Sequence, residues 1–168
     1  IKTVTDQTYN DAVTLDTNTT LDSSTSGNIT FNSTLDSVTG ETNSLDVNTS
    51  GTTTFNGLVG SSDRLLTVTT DAGGSTVINT SSIKTLSDQT YNDAVILETN
   101  TTLDSSTSGN VTFNNTLNSA SAETNSLLAN TSGTTTFNGA VGSTDRLSTL
   151  TTDAGGSTVN NTSSIRTV

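Results

Sequence analysis

The groups able to do acid–base chemistry are all carboxylates. The 168-residue chain has 16 Asp and Glu, 5 Lys and Arg, no His and no Cys. Without histidine a serine has no imidazole base, so a Ser-His-Asp triad is excluded. Zinc sites built on His and Cys are excluded with it. Glycoside or polysaccharide cleavage needs carboxylates or basic groups converging in a cleft. The one mixed-charge motif, Asp63-Arg64, recurs as Asp145-Arg146. A catalytic pair repeated in every copy of an array is unusual, so a local surface ion pair is the expectation, a weak interaction. Calcium would use Asp and carbonyl oxygens. The Gly-Gly-x-Gly-x-Asp nonapeptide is absent, because Gly73-Gly74-Ser75 runs on to Thr76. No catalytic residue, metal site or cofactor is expected.

The residues that do recur at fixed spacing are structural. Thr8-Tyr9-Asn10, Thr30-Phe31-Asn32 and Thr54-Phe55-Asn56 share one frame, followed by Val13, Leu35 and Val59. The frame returns at Tyr91-Asn92, Phe113-Asn114 and Phe137-Asn138. A longer period encloses it: Ile1, Ile83 and Ile165 each open an Ile-(Lys/Arg)-Thr triplet. The domains are therefore repeat 1 over 1–82, repeat 2 over 83–164, and the start of a third over 165–168. The copies match at about four positions in five, without insertions.

Within repeat 1 the step from Tyr9 to Phe31 is 22 and the step from Phe31 to Phe55 is 24. Val77, a further 22 on, is read as a fourth echo, and Val159 as its counterpart. Val77 to Tyr91 is only 14, which implies a short fourth turn. Four turns per repeat average about 20 residues, within the range of solenoid periods. That size suits three short strands joined by tight corners, with the number of faces left open. Comparing the copies supports strands: Leu45 recurs as Leu127 while Asp46 becomes Leu128, and Val59 recurs as Val141 while Leu58 becomes Ala140. A fixed residue beside a changing one is the period-two signature of an inward and an outward face. Thr, about a quarter of the chain, favours strands. Gly60 and Gly73-Gly74 punctuate the corners.

The expected fold is all-β: a parallel β-solenoid of two 82-residue repeats, about four coils and on the order of 20 Å each. The alternative is tandem β-sandwich domains, one to each repeat. In the solenoid Tyr9, Phe31, Phe55 and Val77 form one stacked column, with Tyr91, Phe113, Phe137 and Val159 as the equivalent. Asn10, Asn32 and Asn56 form an amide ladder, as do Asn92, Asn114 and Asn138. Thr8, Thr30, Thr54 and Thr76 form a hydroxyl column.

The strings Gln7-Thr8-Tyr9-Asn10-Asp11-Ala12-Val13, Gly51-Thr52-Thr53-Thr54-Phe55-Asn56-Gly57 and Thr69-Thr70-Asp71-Ala72-Gly73-Gly74-Ser75-Thr76-Val77 resemble repeats of giant secreted bacterial adhesins of the filamentous-haemagglutinin-like kind. The resemblance implies a right-handed β-helix, export, and a structural or adhesive cell-surface stalk or fibre. Its expected partners are further copies of the repeat in cis, other fibres and surface glycans. A net charge of −11 with scattered basic residues argues against nucleic acid. No apolar run is long enough to span a bilayer. A glycan- or ice-binding solenoid is the alternative function, ice because of the Thr-x-Thr pairs Thr52/Thr54 and Thr67/Thr69. A β-helix polysaccharide lyase is a third reading.

Overall fold

The computed structural model describes residues 1–168 and contains strands, turns and no helix. Every strand pair is parallel, which two antiparallel sandwiches would not give. The chain winds as a β-solenoid of about seven turns with three faces. Face one is an eight-stranded sheet running from Lys2–Thr3 through Thr19–Ser23, Leu45–Thr49 and Val68–Thr70 to Gln89–Tyr91 and beyond. Face two is a six-stranded sheet running from Gln7–Tyr9 through Thr52–Phe55 and Ser75–Ile78 to Leu117–Ser119. Face three begins with Val13–Leu15 and Leu35–Ser37 and continues from Ser82–Thr85 through Leu127–Thr131 to Leu150–Thr152. Single bridges at Val59 join its two parts.

Local chemistry explains the strands. They are three to five residues long in most cases, and buried inward residues alternate with half-exposed or exposed ones, as in Leu45–Thr49 and Val111–Phe113. The inward set forms one core of 24 buried apolar residues. For a chain of this length that core is thin, and backbone hydrogen bonds, 86 in all and mostly between neighbouring coils, share in holding the order. Two corners of repeat 1 illustrate the need for glycine. Gly60 has φ of 65° and a Cβ there would lie 2.1 Å from the Lys84 carbonyl oxygen; Gly74 has φ of 74° and a Cβ would lie 1.7 Å from that of Gly51. Only a residue without Cβ lets neighbouring coils approach so closely.

The phase of the repeat differs from the expectation of about four whole coils. Repeat 1 contains eleven strand positions, counting the Val59 bridge. At three per turn, eleven positions make three and two-thirds turns. Ile1-Lys2-Thr3 thus starts on face one, whereas Ile83-Lys84-Thr85 starts on face three. The interval from Val77 to Tyr91 is not a shortened turn. It leads from face two across face three to face one, two-thirds of an ordinary coil. Each repeat advances by ~18 Å at the usual strand spacing.

Candidate functional site

The stacked columns and the seam between the two repeats are the distinctive features. On face two the rings of Tyr9 and Phe31 lie 5.1 Å apart, and those of Phe31 and Phe55 lie 5.4 Å apart at 4°. Tyr91, Phe113 and Phe137 stack in the same way, 5.4 Å apart, but on face one. The two aromatic columns are therefore not continuous with each other. Beneath Tyr91 lies Thr70, and above Phe55 lies Ile78.

Val77 and Val159 do not belong to these columns. Val77 pairs with Thr54 on the outer surface, and Val159, 40% exposed, pairs with Thr136. The inward successors of Phe55 and Phe137 are Ile78 and Asn160. A fourth echo anchored on Thr-Val is out by one residue, and with period two a one-residue slip reverses the face. For the same reason Thr76 leaves the hydroxyl column: it is fully buried, while Thr8, Thr30 and Thr54 stack outward. The aliphatic column Val13, Leu35, Val59 is present and continues into Ile83.

The amide ladders are longer than the sequence frame suggested. Asn32 Nδ2 donates to Asn10 Oδ1 at 2.8 Å, Asn56 to Asn32 at 2.8 Å, and Asn79 to Asn56 at 3.0 Å. In the second repeat Asn114 donates to Asn92, Asn138 to Asn114 and Asn161 to Asn138, at 2.6 to 2.7 Å. The rungs at Asn79 and Asn161 were missed. The signal was present: Ile78-Asn79 keeps the apolar-Asn pair at a step of 23 from Asn56, between the 22 and 24 of the earlier coils.

At the seam, groups of repeat 1 grip repeat 2. Asp93 is 2% exposed. Thr70 Oγ1 donates to its Oδ1 at 2.9 Å, and Thr76 Oγ1 lies 2.9 Å from both carboxylate oxygens. Burial pushes the Asp93 carboxyl up to about 6, the two threonine hydrogen bonds pull against that, and Asp71 adds repulsion. Tyr91 is fully buried, and its hydroxyl donates to Gln89 Oε1 at 3.1 Å. Desolvation, with the Asp93 charge second, raises its ionisation far above the ordinary phenol range. Asn92 Nδ2 donates to the Thr70 carbonyl at 2.7 Å.

The Asp63-Arg64 pair is not a local ion pair. The loop 60–64 bulges between two points that contact the next coil, Val59 to Ile83 and Leu65 to Thr85. From there Arg64 Nη2 reaches Asp104 Oδ2 of repeat 2 at 2.6 Å, and Nη1 donates to the Thr85 and Asp104 carbonyls at 3.1 and 3.3 Å. Asp63 instead accepts from Thr39 Oγ1 at 2.9 Å. Both side chains of the Arg64–Asp104 pair are mostly shielded, at 28% and 18% exposure, so solvent screening is weaker than for a typical surface pair. Chemically the seam is a set of satisfied hydrogen bonds: every buried side-chain N or O atom has a partner. No three carboxylates come together as a cation site.

The fold and this geometry define a parallel β-solenoid with stacked internal repeats. No family model matches the chain, and no curated protein or solved structure matches it.

Proposed function

We propose that the protein is a structural or adhesive repeat segment of a long extracellular fibre or stalk, with no catalysis of its own. One observation carries this reading. Repeat 1 passes into repeat 2 through the same parallel pairings that join coils inside a repeat, as in Tyr91 on Thr70 and Leu97 on Ile78. Such a seam can recur indefinitely, and stacks of this kind gain stability from each neighbour interface. The resemblance of its repeat strings to filamentous-haemagglutinin-like adhesins supports export and a cell-surface location. Arg64, the motif residue a lyase would use, is committed to Asp104 and two carbonyls.

The reading is tested by expressing chains with two, three and four repeats and measuring them by small-angle scattering. The expected rod lengthens by ~18 Å per repeat at constant cross-section. A particle that thickens instead of lengthening overturns the fibre role.

A second reading, binding to an ordered surface such as ice, is favoured by one feature. Thr69, Thr90, Thr112 and Thr136 stand above one another on the outside of face one. A thermal-hysteresis measurement on the chain decides it: a gap between melting and freezing supports it, and no gap removes it.

A further inference from the structure

Three copies of one triplet lie in this chain, and each lies on a different face. Lys2 of Ile1-Lys2-Thr3 pairs with Asp22 on face one. Lys84 of Ile83-Lys84-Thr85 pairs in register with Asp104 on face three. Ile165 bridges to Val141, which bridges to Leu117 on face two. The other repeated features follow the same rule. The aromatic columns and the amide ladders change face between repeats, as do the outward threonines: Thr54 is on face two and its equivalent Thr136 on face one. The cause is arithmetic. Eleven strand positions on three faces leave every repeat turned by a third of a circle from the last.

We propose that an array of this repeat presents each of its surface features to three sides in turn, so that a partner on any one side meets a given feature only at every third repeat. The inference rests on the array reading and specifies how its surface is offered. Three repeats make eleven levels, so like features on one side are ~53 Å apart at ordinary strand spacing. Between them that side carries the two other thirds of the repeat. An extended lattice lying along one side would meet a block of about four threonine levels and then a different pattern. A discrete partner, bound singly at its own site, finds a site whichever side it approaches from. The surface therefore fits separate partners around the fibre and not one continuous flat one. Neighbouring sites point a third of a circle apart, so two bulky partners on adjacent repeats do not compete for space as they would on one side.

The chain lacks cysteine, which permits clean labelling. Nitroxide labels on Thr54→Cys and Thr136→Cys report the offset between repeats. Thr30→Cys and Asn118→Cys serve as the control, being four levels apart on face two through Thr54, Val77 and Ile96. The axial separations are nearly equal, ~18 and ~19 Å. The Thr54/Thr136 distance is expected to exceed the control by on the order of 10 Å, because it also crosses between faces. A short bifunctional thiol reagent is expected to link Thr69→Cys to Thr90→Cys, which are register partners, and not Val77→Cys to Thr90→Cys. Equal label distances, or linkage of Val77 in place of Thr69, would show whole-coil repeats and overturn the proposal while leaving the fibre reading intact. Failure of the rod to lengthen with repeat number would overturn the fibre reading and the array proposal with it, while the label distances would still report the one-third offset between the two repeats.

Discussion

Asp11 and Asp93 occupy the same place in the two repeats and live in different surroundings. Asp11 is exposed, while Asp93 is buried between two threonines of the preceding repeat. The same contrast holds elsewhere. Tyr9 is half-buried and Tyr91 wholly buried. Lys2 pairs with Asp22 at 3.2 Å, whereas the equivalent Asp104 is taken by Arg64. Arg146, the second copy of that arginine, donates to the Thr167 carbonyl without a carboxylate partner. With sequences this similar, the difference comes from stacking. A repeat acquires its buried acid, its sealed tyrosine and its cross-seam ion pair only from the repeat beneath it. The third repeat's counterpart of Asp93 would fall on Thr152 and Thr158; here Thr158 Oγ1 donates to Thr152 Oγ1 instead, at 3.0 Å.

Substitutions made in equivalent pairs should separate the seam from the repeat. The largest effect is expected for Tyr91→Ala, which removes a fully buried ring at a cost of about 3–5 kcal/mol. Tyr9→Ala should cost less than half as much in the same denaturant titration, and equal losses would show that stacking adds nothing to this position.

Asp93 should give the next largest effect, and its sign depends on pH. Its folded-state ionisation, about 6, lies above the ordinary 3.8, so the fold favours the protonated acid. That contribution is complete below the unfolded value and is lost as pH rises through about 6. Melting followed from pH 4.5 to 7.5 should therefore show stability falling, with Asp93 contributing about 2 kcal/mol. Asp93→Asn should remove that share of the slope and raise stability at pH 7.5, whereas Asp11→Asn should leave the slope in place. Matching behaviour of the two variants would place the titration elsewhere.

Arg64→Ala should cost about 1 kcal/mol and make the chain less sensitive to salt, while Arg146→Ala, with no ion pair to lose, should change little. The smallest difference concerns Gly40 and its counterpart Ala122, which share a left-handed backbone, with φ of 88° and 65°. A side chain is strained there, and nothing lies within 4 Å of a Cβ at Gly40. Ala122→Gly should raise stability by about 0.5–1 kcal/mol, and Gly40→Ala should lower it by a similar amount. A thermal scan of both variants sharpens the comparison by asking whether one backbone costs the same in either repeat.

Much of this was legible in the residues. The steps of 22 and 24 located the aromatic columns and the amide ladders, because in-register stacking demands like residues one coil apart. The alternation of fixed and changing residues gave the inward faces. What escaped was phase. The frame Tyr9, Phe31, Phe55 recurs at Tyr91, and nothing local in Tyr91 records that the chain has advanced five strand positions from Phe55, where two whole coils would take six. Ile78 escaped because a slip of one residue on so short a strand inverts its inside and outside. Asp93, Thr70 and Thr76 are far apart in sequence and unremarkable in type. Their meeting is created by the seam and could be inferred only once the coil phase was known. Arg64 sits beside Asp63 in the chain, but its loop aims it two coils upward.

The one-third twist also bears on how such a chain could change in length. The upper rim of each repeat is a rotated copy of its lower rim, so a duplication or deletion of one whole repeat unit hands every later coil a congruent seat. Variation in whole units would thus be mechanically silent within the proposed fibre. Its visible trace would be the bearing of the last coil, swung by a third of a revolution for each unit added.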